Sequence, residues 1–144
     1  VLDFMCARIV YMGETGAGQG TKAVNQIMAA GINQSVTEAL AFADAEGLPL
    51  EKVIDVVGGG AAGNWFLNHR GNTMIQGEFQ PGFKLALHYK DLKIRQSMAA
   101  DKQQELALVE KTLKDYSKLI SGGYGERDIS VLYKLKKGIS KKRP

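Results

Sequence analysis

Apolar residues recur at three- and four-residue spacing through most of the chain, and the breaks in that rhythm fall at glycine and proline. The longest segment carries Val24, Ile27, Met28, Gly31, Ile32, Ser35, Ala39, Leu40 and Ala43 and reaches to about Glu46. A helix of that length exceeds the usual globular one and belongs in the middle of a domain or between two. Gly47, Leu48 and Pro49 stop it. Leu50 to Val57 reads as a short helix with Val53, Ile54 and Val57 inward, closed by Gly58-Gly59-Gly60. Ala61 to Met74 is helical again, with Asn64 as a cap and Trp65 and Phe66 as core or subunit-interface residues. After a loop over Gln76 to Gly82, the segment Phe83 to Lys102 places Leu87, Lys90, Asp91, Ile94, Met98 and Asp101 on one strip. Two further helices follow: Leu106 to Ile120, ended by Gly122-Gly123-Tyr124-Gly125, and Asp128 to Lys137, with Ile129, Leu132, Tyr133 and Leu135 inward.

The start of the chain breaks this pattern. Val1 to Met12 reads as a helical end followed by a strand over Ile9-Val10-Tyr11-Met12, a β-branched and aromatic run. One strand cannot form a sheet, so residues 1–13 are expected to be the tail of a missing domain, with 14–144 as an all-α, bundle-like domain organised around its long first helix.

Composition narrows the possibilities without choosing among them. The 144 residues suffice for a proper core, and 44% hydrophobic with 24% charged content is ordinary for a globular domain. One cysteine excludes an internal disulfide and suits a reducing cytosol; with two histidines there is no metal-ligand cluster. No apolar run approaches the roughly 18 residues of a membrane span, and no signal peptide is visible. The formal charge of +4 is local: without Lys134, Lys136, Lys137, Lys141, Lys142 and Arg143 it becomes −2. With no aromatic interleaving, that tail reads as a solvated helix end rather than a nucleic-acid site.

The candidate chemistry begins at Gly16-Ala-Gly18-Gln-Gly20-Thr-Lys22-Ala-Val-Asn25-Gln26. A phosphate-cradling loop needs glycine before its lysine and a hydroxyl after it, but Thr21 and Ala23 flank Lys22. The dinucleotide fingerprint needs glycine at position 21 and a following strand, and it too fails. What remains is Gly-x-Gly-x-x-x-Lys-x-x-Asn, with Lys22 in the first turns of the long helix. Further on, Lys90 and Asp91 interrupt a strip that should be buried, after Pro81-Gly82-Phe83. On pattern alone a lysine snorkelling at the core edge accounts for that pair.

Taken together, the two segments resemble the C-terminal signatures of the β-hydroxyacid dehydrogenases, the group containing 3-hydroxyisobutyrate dehydrogenase and tartronate semialdehyde reductase. The resemblance covers essentially everything after Met12. It implies the helical C-terminal domain of the 6-phosphogluconate dehydrogenase type, following a Rossmann-type domain that this chain does not contain. It implies hydride transfer between NAD or NADP and the hydroxyl-bearing carbon of a small 3-hydroxy acid, with the cofactor bound mainly by the missing domain. In that chemistry Lys22 is the general acid and base, and Asn25 and Gln26 orient it or the substrate hydroxyl. Some members have a second asparagine where this chain has Gln26, a departure that bears on substrate preference. Lys90, with Asp91 and Phe83, belongs to the nicotinamide end of the cofactor. His69 and His88 are assigned no role. The family's substrate-carboxylate motif lies in the missing domain.

An alternative of a different class is a non-catalytic helical oligomerisation module, against which the intact Lys22, Asn25 and Lys90 argue. The rows Met28, Ile32, Val36 and Ile27, Gly31, Ser35 leave apolar surface beyond what one bundle needs, so self-association as a homodimer or higher oligomer is expected. Neither nucleic acid nor membrane is expected as a partner.

Overall fold

Gly16, at a left-handed φ of 99°, turns the chain into α1, which runs Ala17–Ala45 as one helix of 29 residues. A computed structural model of the chain describes residues 9–140, the side chains of Ile139 and Ser140 excepted. Five more helices follow: α2 (Leu50–Gly58), α3 (Trp65–Gln76), α4 (Leu85–Ala100), α5 (Ala107–Ser121) and α6 (Leu132–Ser140), the last entered through a 3-10 turn at Ile129–Val131. α1 packs against each of the other five, so it is the axis of an all-α domain. The core joins Leu40 of α1 to Ile54, Leu67, Met74, Leu85, Leu92, Tyr116 and Leu132 of the others. Among the described residues no helix is long and apolar enough to cross a membrane.

The punctuation residues act as their chemistry requires. Gly47 takes a φ of 71° after α1, and Gly77 a φ of 77° after α3. The Asn64 side chain accepts the Leu67 N–H at 2.9 Å, which makes it the cap of α3. α3 therefore starts at Trp65, not at Ala61; residues 61–64 form the turn before it.

Three expectations are corrected. Ile9–Met12 is exposed and forms no strand, because no neighbouring strand among the described residues accepts its backbone hydrogen bonds. Residues 1–8 lie outside the described residues, and so does the helical end expected there. On α1 the buried face is Ala23, Gln26, Ala30, Asn33, Thr37 and Leu40, whereas Val24 and Met28 are exposed and so are Ser35 and Ala39. That face keeps helical spacing but is built partly of amides and a hydroxyl, which tertiary hydrogen bonds satisfy. On α4 the buried residues are Leu85, His88, Leu92, Arg95 and Ala99; the expected strip of Leu87, Lys90, Ile94 and Met98 faces out.

α6 is fastened to α1 and α5 by an ion cluster whose inner members, Lys136 and Asp115, are buried. Lys136, only 7% exposed, donates to Glu38 at 2.8 Å and lies 3.7 Å from Asp115. Asp115 also accepts from Lys111 and, at 3.1 Å, from the Gln34 amide. Burial alone would raise the Asp115 pKa, but Lys111, Gln34 and Lys136 together hold it below the usual carboxylate value. Removing Asp115 takes an acceptor from the buried Gln34 amide and leaves Lys136 to Glu38 alone. Asp115→Ala should therefore lower the unfolding free energy by about 2–3 kcal/mol. Lys136→Met, which leaves Asp115 bonded to Lys111 and Gln34, should cost less than about 1.5 kcal/mol. Urea denaturation of the two variants checks the difference, and equal losses would contradict it.

Candidate functional site

The first turns of α1 stand clear of the bundle. A Cβ built on Gly16, Gly18 or Gly20 would meet nothing within 4 Å, so the backbone is open to close approach from outside. Lys22 is exposed one turn further on. At the next turn the helix reaches the bundle, and there the two sequence segments meet. The Gln26 amide nitrogen donates to Asp91 Oδ2 at 2.7 Å, across 65 residues of chain, and Asn25 Nδ2 donates to Gln26 Oε1 at 3.2 Å. Asn25, Gln26 and Asp91 thus form one relay from α1 to α4. Gln26 is 6% exposed while Asn25 faces out, so the inner amide braces the outer one.

A cleft of about 300 Å³ opens beside this relay. Asn25 and Gln26 line one wall; Trp65, Arg70, Phe83 and Asp128 line others. Phe83 is half-buried, with its ring centroid 5.0 Å from that of His88. Lys22, Lys90 and Asp91 do not line the cleft. Lys90 is exposed and makes no hydrogen bond or ion pair among the described residues. The structure therefore groups Asn25, Gln26, Phe83 and Asp91, and leaves the two lysines on the open surface next to Gln26 and Asp91.

Beneath the relay lies a buried chain of polar groups that includes a histidine left without a role above. Asn33 Nδ2 donates to the Tyr116 hydroxyl at 2.8 Å; Tyr116 stands 3.1 Å from His88 Nδ1, and His88 Nε2 stands 3.2 Å from the Gln26 carbonyl. The Asn33 donor leaves the tyrosine to donate to Nδ1, so Nε2 carries the proton that Gln26 accepts. His88 is wholly buried. Burial lowers its pKa, against the opposing pull of the Gln26 carbonyl and Asp91, so the ring is held neutral. Burial likewise pushes the Tyr116 hydroxyl upward.

Asp128 organises the far wall. Its Oδ2 accepts the backbone N–H groups of Gly82 and Phe83, each at 3.0 Å, and its Oδ1 accepts Ser130 N–H at 3.1 Å. Arg70 Nε lies 3.5 Å from Oδ1. Sequence reading missed Asp128, Arg70 and His88 as parts of this site. Aspartate is a capping residue type, but nothing in its sequence surroundings marks Asp128 as part of a site.

Comparison with known proteins bears on what such a site does. The family described as NAD-binding of NADP-dependent 3-hydroxyisobutyrate dehydrogenase matches residues 16–136. An uncharacterized oxidoreductase of Bacillus subtilis, YkwC, is 35% identical over 94% of this chain and 47% of its own length. L-threonate dehydrogenase of Haemophilus influenzae is 29% identical over 97% of this chain and 47% of its own. The crystal structure of a 3-hydroxyisobutyrate dehydrogenase from Salmonella typhimurium superposes with a TM-score of 0.86 at 27% identity, over 93% of this chain and 47% of that one. The chain thus spans about half the length of the relatives it matches.

The neutral histidine makes stability depend on pH. An unfolded histidine takes up its proton near 6.5, whereas the folded His88 does so only below that. Stability is therefore complete above 6.5 and is lost as pH falls towards the folded pKa. Melting temperature measured from pH 7.5 to 5.5 should fall in the native chain and fall less in His88→Gln. Parallel curves would remove His88 as the cause.

Proposed function

This chain belongs to the NADP-dependent 3-hydroxyisobutyrate dehydrogenase family, and from that premise we propose that it forms the C-terminal half of an oxidoreductase. The enzyme transfers hydride between NAD or NADP and the hydroxyl-bearing carbon of a small 3-hydroxy acid. The observation that carries the reading is the Gln26–Asp91 hydrogen bond, which joins the Lys22 segment to the Lys90 segment at one edge of a substrate-sized cleft. The cofactor supplies the hydride chemistry, and the protein supplies binding, orientation and proton movement.

The residues present fit such a cofactor in kind. The bare backbone at Gly16, Gly18 and Gly20 admits another surface to contact distance. Exposed Lys90, beside Asp91, is available to an anionic or electron-rich group. Lys22 moves the proton: it takes the hydroxyl proton as the alcohol becomes a carbonyl and returns one in the reverse direction. Asn25 lines the cleft and can hydrogen-bond the substrate hydroxyl, with Gln26 fixing its amide. Residues 1–13 are then the tail of the N-terminal nucleotide-binding domain, which holds most of the cofactor.

In the complete enzyme, Lys22→Ala should cut turnover by roughly 10²–10⁴-fold with cofactor affinity nearly unchanged. Lys90→Ala should weaken cofactor binding as well as rate. Steady-state kinetics and cofactor titration check both; near-normal turnover in the first variant removes Lys22 from the mechanism.

The exposed apolar residues of α1 and α4, among them Met28 at 61% and Leu87 at 53%, support a covered surface in the assembled protein. A symmetric dimer accounts for part of that cover. Expressed alone, the chain should self-associate, show no dehydrogenase activity and bind no dinucleotide measurably. Light scattering and NAD(P) titration test this, and a monomer that binds the cofactor tightly contradicts it.

A further inference from the structure

We propose that His88 is a positioning residue of the reaction: by donating to the Gln26 carbonyl it fixes the turn of α1 that carries Lys22. The inference rests on the dehydrogenase reading above. His88 is wholly buried and does not line the cleft, so its ring is out of reach of substrate and cofactor. What it reaches instead is the backbone of the Lys22 segment.

The start of α1 needs such a hold. A Cβ on Gly18 or Gly20 would meet nothing within 4 Å, and glycine lowers helix stability there. Ala23 is the first buried residue of the helix, but a methyl group packs without direction. Among the described residues, Gln26 is the first of α1 to hydrogen-bond another helix, and it does so twice, both times to α4. The two bonds have different consequences. The side-chain bond to Asp91 orients the amide that braces Asn25 at the cleft. The backbone bond to His88 acts on Lys22, because in an α-helix the Gln26 N–H donates to the Lys22 carbonyl. The main chain of Gln26 thus ties the lysine's turn to α4.

The imidazole is itself well fixed. Ring centroids of Phe83 and Tyr116 lie 5.0 Å and 5.7 Å from its own, and the Tyr116 hydroxyl stands 3.1 Å from Nδ1. Asn33, two turns beyond Gln26 on α1, donates to that hydroxyl at 2.8 Å. The chain of bonds therefore leaves α1, passes through α5 and α4, and returns to α1. A loop closed in this way resists sliding at both ends. That matters for a lysine that moves a proton. Its nitrogen must come within hydrogen-bond reach of the reacting oxygen, and a shift of about 1 Å can cost about 100-fold in rate.

Three variants separate positioning from stability. His88→Asn keeps a polar partner for the Tyr116 hydroxyl but is too short for the Gln26 carbonyl, whereas His88→Gln places an N–H near the position of Nε2. Leu40→Ala removes buried packing from the same helix about 20 Å further on, away from the cleft. In the 144-residue chain, amide hydrogen exchange over residues 19–26 should rise roughly fivefold or more in His88→Asn, and stay near native in His88→Gln and Leu40→Ala. In the complete enzyme, His88→Asn should lower kcat roughly 10–100-fold, with KM for the dinucleotide within about threefold of native. His88→Gln should restore most of that loss, and Leu40→Ala should keep kcat within about twofold of native below its melting temperature. Like behaviour of His88→Asn and His88→Gln overturns the proposal. So does a kcat that simply follows melting temperature across the three variants. If His88→Asn melts early, Leu40→Ala is the control for lost stability, and equal exchange in the two overturns the proposal. A complete enzyme that transfers no hydride contradicts the proposed function instead, and the exchange measurement still decides whether His88 holds the Lys22 turn.

Discussion

The imidazole of His88 is the piece on which the rest of this structure turns. It is wholly buried, yet both ring nitrogens are matched, one by the Tyr116 hydroxyl and the other by the Gln26 carbonyl. Each such bond contributes only about 1 kcal/mol net, but an unmatched buried group costs about 1–3 kcal/mol. The bonds therefore add modest stability and strongly penalise any other arrangement. A slide of α1 along α4 by one residue would lose the match at Gln26, and a rotation of α5 would lose the one at Tyr116. Apolar packing tolerates such shifts far better, because it has no direction.

Gln26 is held twice. Its carbonyl faces His88 from within, and its side-chain amide reaches Asp91. Both partners sit on α4, three residues apart and so on neighbouring turns. Two bonds from one helix to one residue of another define position and twist together. Lys22 lies one turn before that clamp on a continuous helix, so its backbone inherits the same placement. The relay and the proposed proton-moving lysine are parts of one rigid body.

How much of this could be read from residues alone divides along physical lines. Helices and their ends were legible because glycine and proline act locally: Gly47 and Gly77 stop helices through their own φ, whatever surrounds them. Asn64 was legible as a cap, though not the helix start it marks. Helix faces were less legible. Amides such as Gln26 and Asn33 look like solvent residues until a partner far along the chain is known, as Tyr116 is for Asn33. The strip chosen on α4 ran through Leu87 and Ile94 for the same reason, since His88 and Arg95 hide the buried face behind polar names. The segments carrying Asn25, Gln26, Phe83 and Asp91 stood out through their resemblance to family signatures, and the structure brings them together. Arg70 and Asp128 did not stand out, because a lone arginine on a helix and an aspartate before another carry no spacing that sets them apart. The strand over Ile9–Met12 shows the limit of local preference: β-branched residues favour extended backbone but cannot supply the neighbour that makes it a strand.

Gly18 and Gly20 lie inside a regular helix at positions where alanine would fit without contact. Glycine is less favourable than alanine in a helix, by up to about 1 kcal/mol in an interior, so these first-turn positions leave the start of α1 weaker than it could be. Nothing within the described residues compensates for that weakness. Viewed as engineering, the two positions invite an easy gain: a screen scored by melting temperature would select alanine at both. Such a screen would be coating a stretch of bare backbone with methyl groups, and the hardened variant would carry a spacer wherever another surface must lie flat against it.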